Sequence, residues 1–327
     1  MKILIASSID AAAIERLKTD HQVVCAFQDV SEGMLRELVA DCQVLVFRSG
    51  VNISAQLMEC APHLKLLVRA GSGLDNLDFD YVQRRGLKLV RIPQPGARAV
   101  TELTFALMLA LSRRLFEADR SMRDSHWSKD DLSGYLLQGK TLGVVGAGNI
   151  GGCVAQMGIA WGMRVLGCVE HPSWERRQLF AEKGIDMVGF KQVLAEADYV
   201  TVHVPLKEDT RHMFDQAAFS LMKKGAYLVN VARGGVVDEL ALHEALTGPG
   251  RLRGAALDVH AKEWEGGGSL LAGCRNVILT PHVGSMTVDT QAEIGRRVVE
   301  AIEEFAAETS IQEQPGAWNS YCIVPGG

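Results

Sequence analysis

From one end of the chain to the other, short runs of β-branched and aliphatic residues alternate with stretches whose apolar positions recur at helical spacing. Strand–helix alternation of this kind implies parallel sheets covered by helices. In the first hundred positions the strands fall at Lys2–Ala6, Val44–Phe47, Leu66–Ala70 and Leu87–Ile92. Between them, one helix has Asp10 as its N-cap with Ile14 and Leu17 inward. Another begins at Ser31, with Met34, Leu35 and Leu38 on one face.

Pro93 and Pro95 then interrupt the pattern, and Thr101 opens a long helix. Its Leu103, Phe105, Leu107, Met108, Leu109 and Leu111 are apolar nearly all round, which predicts burial on several sides, between domains or in a dimer interface. A second strand–helix series starts at Thr141. Its strands are Leu142–Val145, Arg164–Val169, Tyr199–His203, Ala226–Asn230, Ala255–Asp258 and Val277–Thr280, and a last helix covers about Thr287 to Glu308. The tail from Gln312 carries Pro and Gly and reads as poorly ordered. The pattern resolves into two doubly wound α/β units. The last helix is expected to return to the first unit, which makes that domain discontinuous, 1–98 plus 286–327, around a second domain at 99–285.

Composition fits a globular chain of this kind: 47% of its 327 residues are apolar and 22% charged. A net charge of -5 gives no footprint for nucleic acid or an anionic membrane surface. Arginine pairs at 84–85, 113–114 and 296–297 sit among acids in helical stretches and read as solvated faces. The seven cysteines (25, 42, 60, 153, 168, 274, 322) are scattered, with no CxxC pair and no zinc-type spacing. They read as free thiols in a reducing compartment, with Cys25, Cys42 and Cys168 as small core residues. The opening Met-Lys-Ile-Leu-Ile-Ala is too short for a signal-peptide core, and the apolar stretch Leu103–Leu111 is far short of a membrane span. A cytoplasmic enzyme is the expectation.

Chemistry enters at Gly146-Ala147-Gly148-Asn149-Ile150-Gly151, between the strand ending at Val145 and a helix through Val154, Met157 and Ile159. In that context Gly146 makes a tight turn, Gly148 lets the backbone approach a pyrophosphate, and Gly151 lets helix pack on strand. The helix N-terminus offers N–H groups and a positive dipole end to phosphates. The acid available at the end of the second strand is Glu170, directly after Val169. It favours NAD by repelling a 2′-phosphate, while Arg176, Arg177 and His171 nearby leave NADP open.

Downstream come Arg233 in NVARGG, Glu263 in LDVHAKE and His282 in LTPHVG. A fixed cation, an imidazole and a carboxylate that stabilises the imidazolium are what hydride transfer to a 2-keto acid requires. Each has a bland alternative alone: a surface acid, an ion-pair arginine, a loop histidine. Together with Arg69-Ala-Gly-Ser-Gly-Leu-Asp-Asn76 and Val202-His-Val-Pro-Leu206, in order and spacing, the chain resembles the D-isomer-specific 2-hydroxyacid dehydrogenases of the D-3-phosphoglycerate dehydrogenase type, from Arg48 to about Gly295.

The resemblance implies a flavodoxin-like substrate domain and a Rossmann NAD-binding domain. It implies that Arg233 binds the substrate carboxylate and keto oxygen, that His282 is the acid/base, and that Glu263 is its partner. Asp258 is implied to hold the nicotinamide amide and Pro205 to line the cofactor pocket. His203, Ala232 and Gly284 are further candidates on that side, with no metal. N–H groups around Gly71, Ser72 and Gly73 are implied to bind the carboxylate, and Arg48 a second anionic group. His260 stands where an aromatic residue is usual and Trp264 where proline is usual, ahead of a flexible Glu265–Gly268 loop. The expected protein is a homodimer acting on a small 2-keto or 2-hydroxy acid. Two rivals remain on this fold: a phosphite-type dehydrogenase, and a non-catalytic NAD-sensing protein like the transcriptional corepressors.

Overall fold

The computed structural model describes residues 1–312 other than 28, 29, 128, 171, 249–251 and 264–268. The remarks on His171, on Trp264 and the glycine loop after it, and on the tail fall outside the described residues. The chain divides into two compact units, residues 1–95 with the segment from Thr287 onward, and Gly96–Met286.

The first unit alternates β1 (Lys2–Ile5), α1 (Ala11–Asp20), β2 (Gln22–Cys25), α2 (Glu32–Val39), β3 (Val44–Phe47), α3 (Ala55–Glu59), β4 (Leu66–Arg69), α4 (Phe79–Arg85) and β5 (Lys88–Arg91). All pairings are parallel, in the order β2-β1-β3-β4-β5. That is the flavodoxin-like order, whose reversal between β1 and β3 is where loops of such sheets converge. The central strands β3 and β4 have every residue buried, as strands covered on both faces must. Asp10 and Ser31 cap α1 and α2 through their side chains.

The second unit holds most of α5 (Gln94–Ser112), then α6 (Leu115–Arg123), β6 (Thr141–Val145), α7 (Asn149–Ala160), β7 (Arg164–Cys168), α8 (Trp174–Glu182), β8 (Ile185–Met187), α9 (Phe190–Glu196) and β9 (Tyr199–Val202). It continues with α10 (Gln216–Leu221), β10 (Ala226–Asn230), α11 (Glu239–Thr247), β11 (Leu252–Leu257) and β12 (Val277–Leu279). Its seven parallel strands run β12-β11-β10-β9-β6-β7-β8. The order reverses between β6 and β9, so the loops leaving those strands meet at the crevice where dinucleotides bind in such sheets. The closing helix α12 (Val288–Gln312) belongs to the first unit. Its Ile294, Val298, Ile302 and Phe305 join Ala13, Ile14 and Leu17 of α1 in one core, each large side chain contributing about 1.5–3 kcal/mol by burial. Among the described residues, no helix is long and apolar enough to cross a membrane.

Four expectations are corrected. The long helix begins at Gln94, because Pro95 lies in the first turn, where its missing N–H is an orphan in any case. Edge strands β2 and β8 escaped the pattern, since β2 is partly exposed and β8 is three residues long. Met34 is exposed, while Leu35 and Val39 carry the inner face of α2. Cys25, expected in the core, is exposed at the end of edge strand β2, whereas Cys42 is buried.

Candidate active site

The turn leaving β6 depends on glycine. Gly146 has φ +94°, and a Cβ there would lie 2.7 Å from the carbonyl carbon and oxygen of His203, in the loop after β9. At Gly151 a Cβ would fall 2.2 Å from the Gly146 oxygen, so only glycine lets α7 start this close to the turn. Gly148 is different. It is the N-cap of α7, no side chain caps that helix, and a Cβ there would meet nothing within 4 Å. The first N–H groups of α7, with Asn149 and Ile150 leading, therefore point their dipole end at open space, an arrangement that suits a pyrophosphate.

Around this turn, Val169 is half-buried and Glu170 is exposed just beyond β7. Nη2 of Arg176 donates to the Ala147 carbonyl at 3.2 Å, and its guanidinium lies over the Phe180 ring. Nε2 of His203 is 2.8 Å from the Thr201 hydroxyl, and its buried Nδ1 has no partner among the described residues. Burial pushes the His203 imidazole down to about 3, so it is neutral. Pro205 is exposed and its carbonyl accepts from Thr210.

A second constellation forms at the exits of β10, β11 and β12. Buried Asn230 shapes the first: its Oδ1 accepts from the Ala232 N–H at 3.1 Å and its Nδ2 donates to the Arg233 carbonyl at 2.9 Å. Half-buried Arg233 donates from Nη1 to the Ala232 carbonyl at 2.6 Å. A Cβ on the next residue, Gly234, would lie 1.9 Å from the His260 carbonyl oxygen, so the Arg233 turn and the segment after β11 touch backbone to backbone.

Asp258, 1% exposed, organises the third exit. Its Oδ1 accepts from the Thr280 hydroxyl at 2.6 Å and the Val283 N–H at 2.9 Å, and its Oδ2 from the Gly284 N–H at 2.8 Å. The His282 N–H reaches the Asp258 carbonyl at 2.8 Å and the Thr280 carbonyl at 3.1 Å. Held this way, His282 adopts φ +55°, left-handed for a residue with a side chain. Its Nδ1 lies 2.8 Å from Oε2 of Glu263. Glu263 Oε1 accepts from the His260 N–H at 3.3 Å. Burial alone would raise the Glu263 carboxyl. The hydrogen bond and charge of His282, with the His260 N–H, outweigh it and hold Glu263 below the usual carboxylate range.

The pattern that defines the D-isomer specific 2-hydroxyacid dehydrogenase NAD binding domain matches residues 105–284. The chain belongs to that dehydrogenase family. D-3-phosphoglycerate dehydrogenase of Methanocaldococcus jannaschii is 37% identical over 305 residues, covering 93% of this chain and 57% of that protein. Hydroxypyruvate reductase of Thermotoga maritima is 33% identical over 296 residues, covering 90% of this chain and 94% of that one. The chain thus spans about half the length of the phosphoglycerate dehydrogenases it matches, between 48% and 57%. Among solved structures, D-lactate dehydrogenase from Aquifex aeolicus, complexed with NAD and lactic acid, superposes with a TM-score of 0.82 at 28% identity, over 95% of this chain and 97% of that one. The resemblance read from the motifs and the expected pair of parallel-sheet domains both hold. NAD is the cofactor of this dehydrogenase domain, and the glycine cradle and uncapped α7 are a fit for it.

In the first unit, Arg48 leaves β3 beside the loop after β1. Its N–H is bonded to the Ser7 hydroxyl at 3.0 Å and its Nη1 to Gln291 Oε1 of α12 at 2.5 Å. The Gly71–Gly73 loop has its carbonyls turned to arginines: Arg91 donates to the Ser72 carbonyl, and buried Arg69 donates from Nε to the Gly73 carbonyl at 2.7 Å. Sequence reasoning missed Arg69, Thr280 and His260 as builders of these loops. Thr280 stood inside a quoted motif with no role attached. His260 stands where the family usually has an aromatic residue, which gives no hint of the bond its ring makes to Thr280.

Proposed function

We propose that this protein interconverts a 2-keto acid and an (R)-2-hydroxy acid with NAD(H), with His282 as the acid/base, Glu263 as its partner and Arg233 as the carboxylate ligand. The observation that carries the reading is the 2.8 Å contact of His282 Nδ1 with Glu263 Oε2, beside the Arg233 turn and in a chain of this family. Bound NADH supplies the hydride that reduces C2.

The chain's own groups do the rest. With Nδ1 engaged by Glu263, His282 keeps Nε2 for the proton that moves. It gives this proton to the ketone oxygen in reduction and takes it from the hydroxyl in oxidation. Glu263, held below the usual range, stays ionised while the imidazole changes charge, so it balances the imidazolium and does not itself take the proton. The Arg233 guanidinium, anchored to the Ala232 carbonyl, is a planar fork matched to a carboxylate. Of the roughly four lone-pair positions on Asp258, three are used by Thr280, Val283 and Gly284. The one remaining on Oδ2 suits the nicotinamide carboxamide. Gly146, Gly148 and Gly151 cradle the pyrophosphate with the N–H groups of Asn149 and Ile150, and Glu170 takes the ribose. His203, Pro205, Ala232 and Gly284 line the cofactor's other side. The bond from Arg176 to the Ala147 carbonyl puts a cation at the same turn, which keeps NADPH in the comparison.

The test is loss of NADH absorbance, and separately of NADPH, against glyoxylate, hydroxypyruvate, its phosphate, phosphonopyruvate and 2-ketoglutarate. We expect turnover of at least one acid, reduced by about 10²–10⁴ in His282→Ala. Turnover indifferent to His282 sinks the assignment. Tight NADH binding without turnover moves the weight to phosphite, tested next, or to a nucleotide sensor.

A further inference from the structure

The carbonyl of Thr280 accepts twice. The N–H of His282 reaches it at 3.1 Å and Nε2 of His260 at 2.9 Å. A carbonyl can only accept, so Nε2 of His260 carries a proton and the tautomer is fixed, with buried Nδ1 left without a partner among the described residues. The backbone of His260 faces two other ways. Its N–H donates to Glu263 Oε1, and its carbonyl occupies the place a Cβ on Gly234 would need. One residue therefore touches the Arg233 turn, the Glu263 carboxylate and the turn that presents His282. Only the imidazole bond depends on the side chain being histidine.

The turn it holds is an unfavourable one. His282 sits at φ +55°, and the N–H groups of 282, 283 and 284 are all tied to Asp258. Those bonds fix the turn from His282 onward. On the other side of His282, the Thr280–Pro281 peptide turns its oxygen both to the His282 N–H and to the His260 ring, so the approach of the chain to His282 depends on where that oxygen is held. We propose that His260 is a positioning residue for proton transfer: its Nε2–H bond to Thr280 sets the His282 turn so that Nδ1 meets Glu263 and Nε2 is left for substrate. This rests on the reading of His282 as the acid/base.

Two variants separate the side chain's donor from its bulk. His260→Phe keeps a ring of similar size and removes the donor, whereas His260→Gln returns an N–H donor at nearly the same reach. With the best keto acid of the panel and NADH, His260→Phe should lower kcat roughly tenfold, as for one lost positioning hydrogen bond. KM and NADH affinity should stay within about twofold of the parent protein, and His260→Gln should recover most of the rate. A His260→Phe enzyme with unchanged kcat overturns the proposal, and so does His260→Gln as slow as His260→Phe.

A second readout needs no turnover. The far-downfield proton resonance of His282 Nδ1–H against Glu263, assigned by its loss in His282→Ala, should persist in His260→Gln and shift or vanish in His260→Phe. Its persistence unchanged in His260→Phe also overturns the proposal. Failure of the keto-acid reading shows separately, as absent or His282-independent turnover in the unaltered protein.

Discussion

A left-handed backbone at a residue with a Cβ costs on the order of 1–3 kcal/mol, and it persists only where the surroundings over-determine it. At His282 the surroundings are Asp258, whose carbonyl and both carboxylate oxygens take three consecutive N–H groups. The same logic predicts what Glu263 contributes. Glu263→Gln keeps the shape but removes the charge that balances an imidazolium, so kcat should fall by about 10² with NADH affinity retained. Steady-state kinetics beside NADH titration checks this, and an unchanged kcat excludes Glu263 as the partner. His203 gives a prediction about stability. Its imidazole is pushed down to about 3 from the ordinary 6.5, so the unfolded chain binds the proton and the folded one does not. The stability from keeping it neutral is fully present above about pH 6.5 and is lost progressively as pH falls towards 3. It amounts to on the order of a few kcal/mol. Thermal unfolding across that window should show Tm falling less steeply in His203→Asn than in the parent protein, and parallel slopes rule the histidine out as the cause.

At the scale of elements, the loop from β6 into α7 separates a glycine the fold needs from one the ligand needs. Gly146 and Gly151 are required by φ +94° and by a 2.2 Å approach, so substitution there damages the domain itself. Gly148 faces open space at φ -86°. Gly148→Ala should therefore leave Tm unchanged or slightly raised and weaken NADH binding by tenfold or more, since the methyl group stands where the pyrophosphate approaches. Wild-type NADH affinity in that variant refutes the cradle. The same loop was readable beforehand because its context, strand before and helix after, is written in local periodicity. Strands β3, β4 and β10 were equally plain as continuous apolar runs buried on both faces. What stayed hidden is non-local. Edge strand β2 is defined by its pairing with β1, not by an apolar run of its own. Gly234 reads as half of a Gly-Gly pair until β11 brings His260 against it. The three charged residues were identifiable from their motifs, but the hydrogen bonds of Asp258, Thr280 and His260 that join them come from loops some twenty residues apart.

At the scale of the whole molecule, the segment between α5 and β6 carries the densest run of exposed large apolar side chains among the described residues. Helix α6 buries none of its residues, and Leu115, Phe116 and Met122 on it are exposed. Beyond it Trp127 is 80% exposed and Leu136 69%. A cavity of about 540 Å³ lies in the same region, lined by Phe116, Tyr135, Tyr227, Arg253 and Ile278 among others. Scattered apolar residues are normal on a surface, but a concentration within some twenty positions marks an interaction site. The occupant we propose is a second copy of this chain, because two-fold homodimers are the commonest assemblies and a self-complementary patch closes without further partners. Burying each of these side chains would contribute at most about 1.5–3 kcal/mol, set against the cost of association. Light scattering on the eluting protein should give twice the 35.5 kDa of the chain. Trp127→Asp with Leu136→Asp should give the single-chain mass with NADH binding intact, since neither residue contributes to a core. A 35.5 kDa species from the unaltered chain, at concentrations well above micromolar, would overturn the dimer.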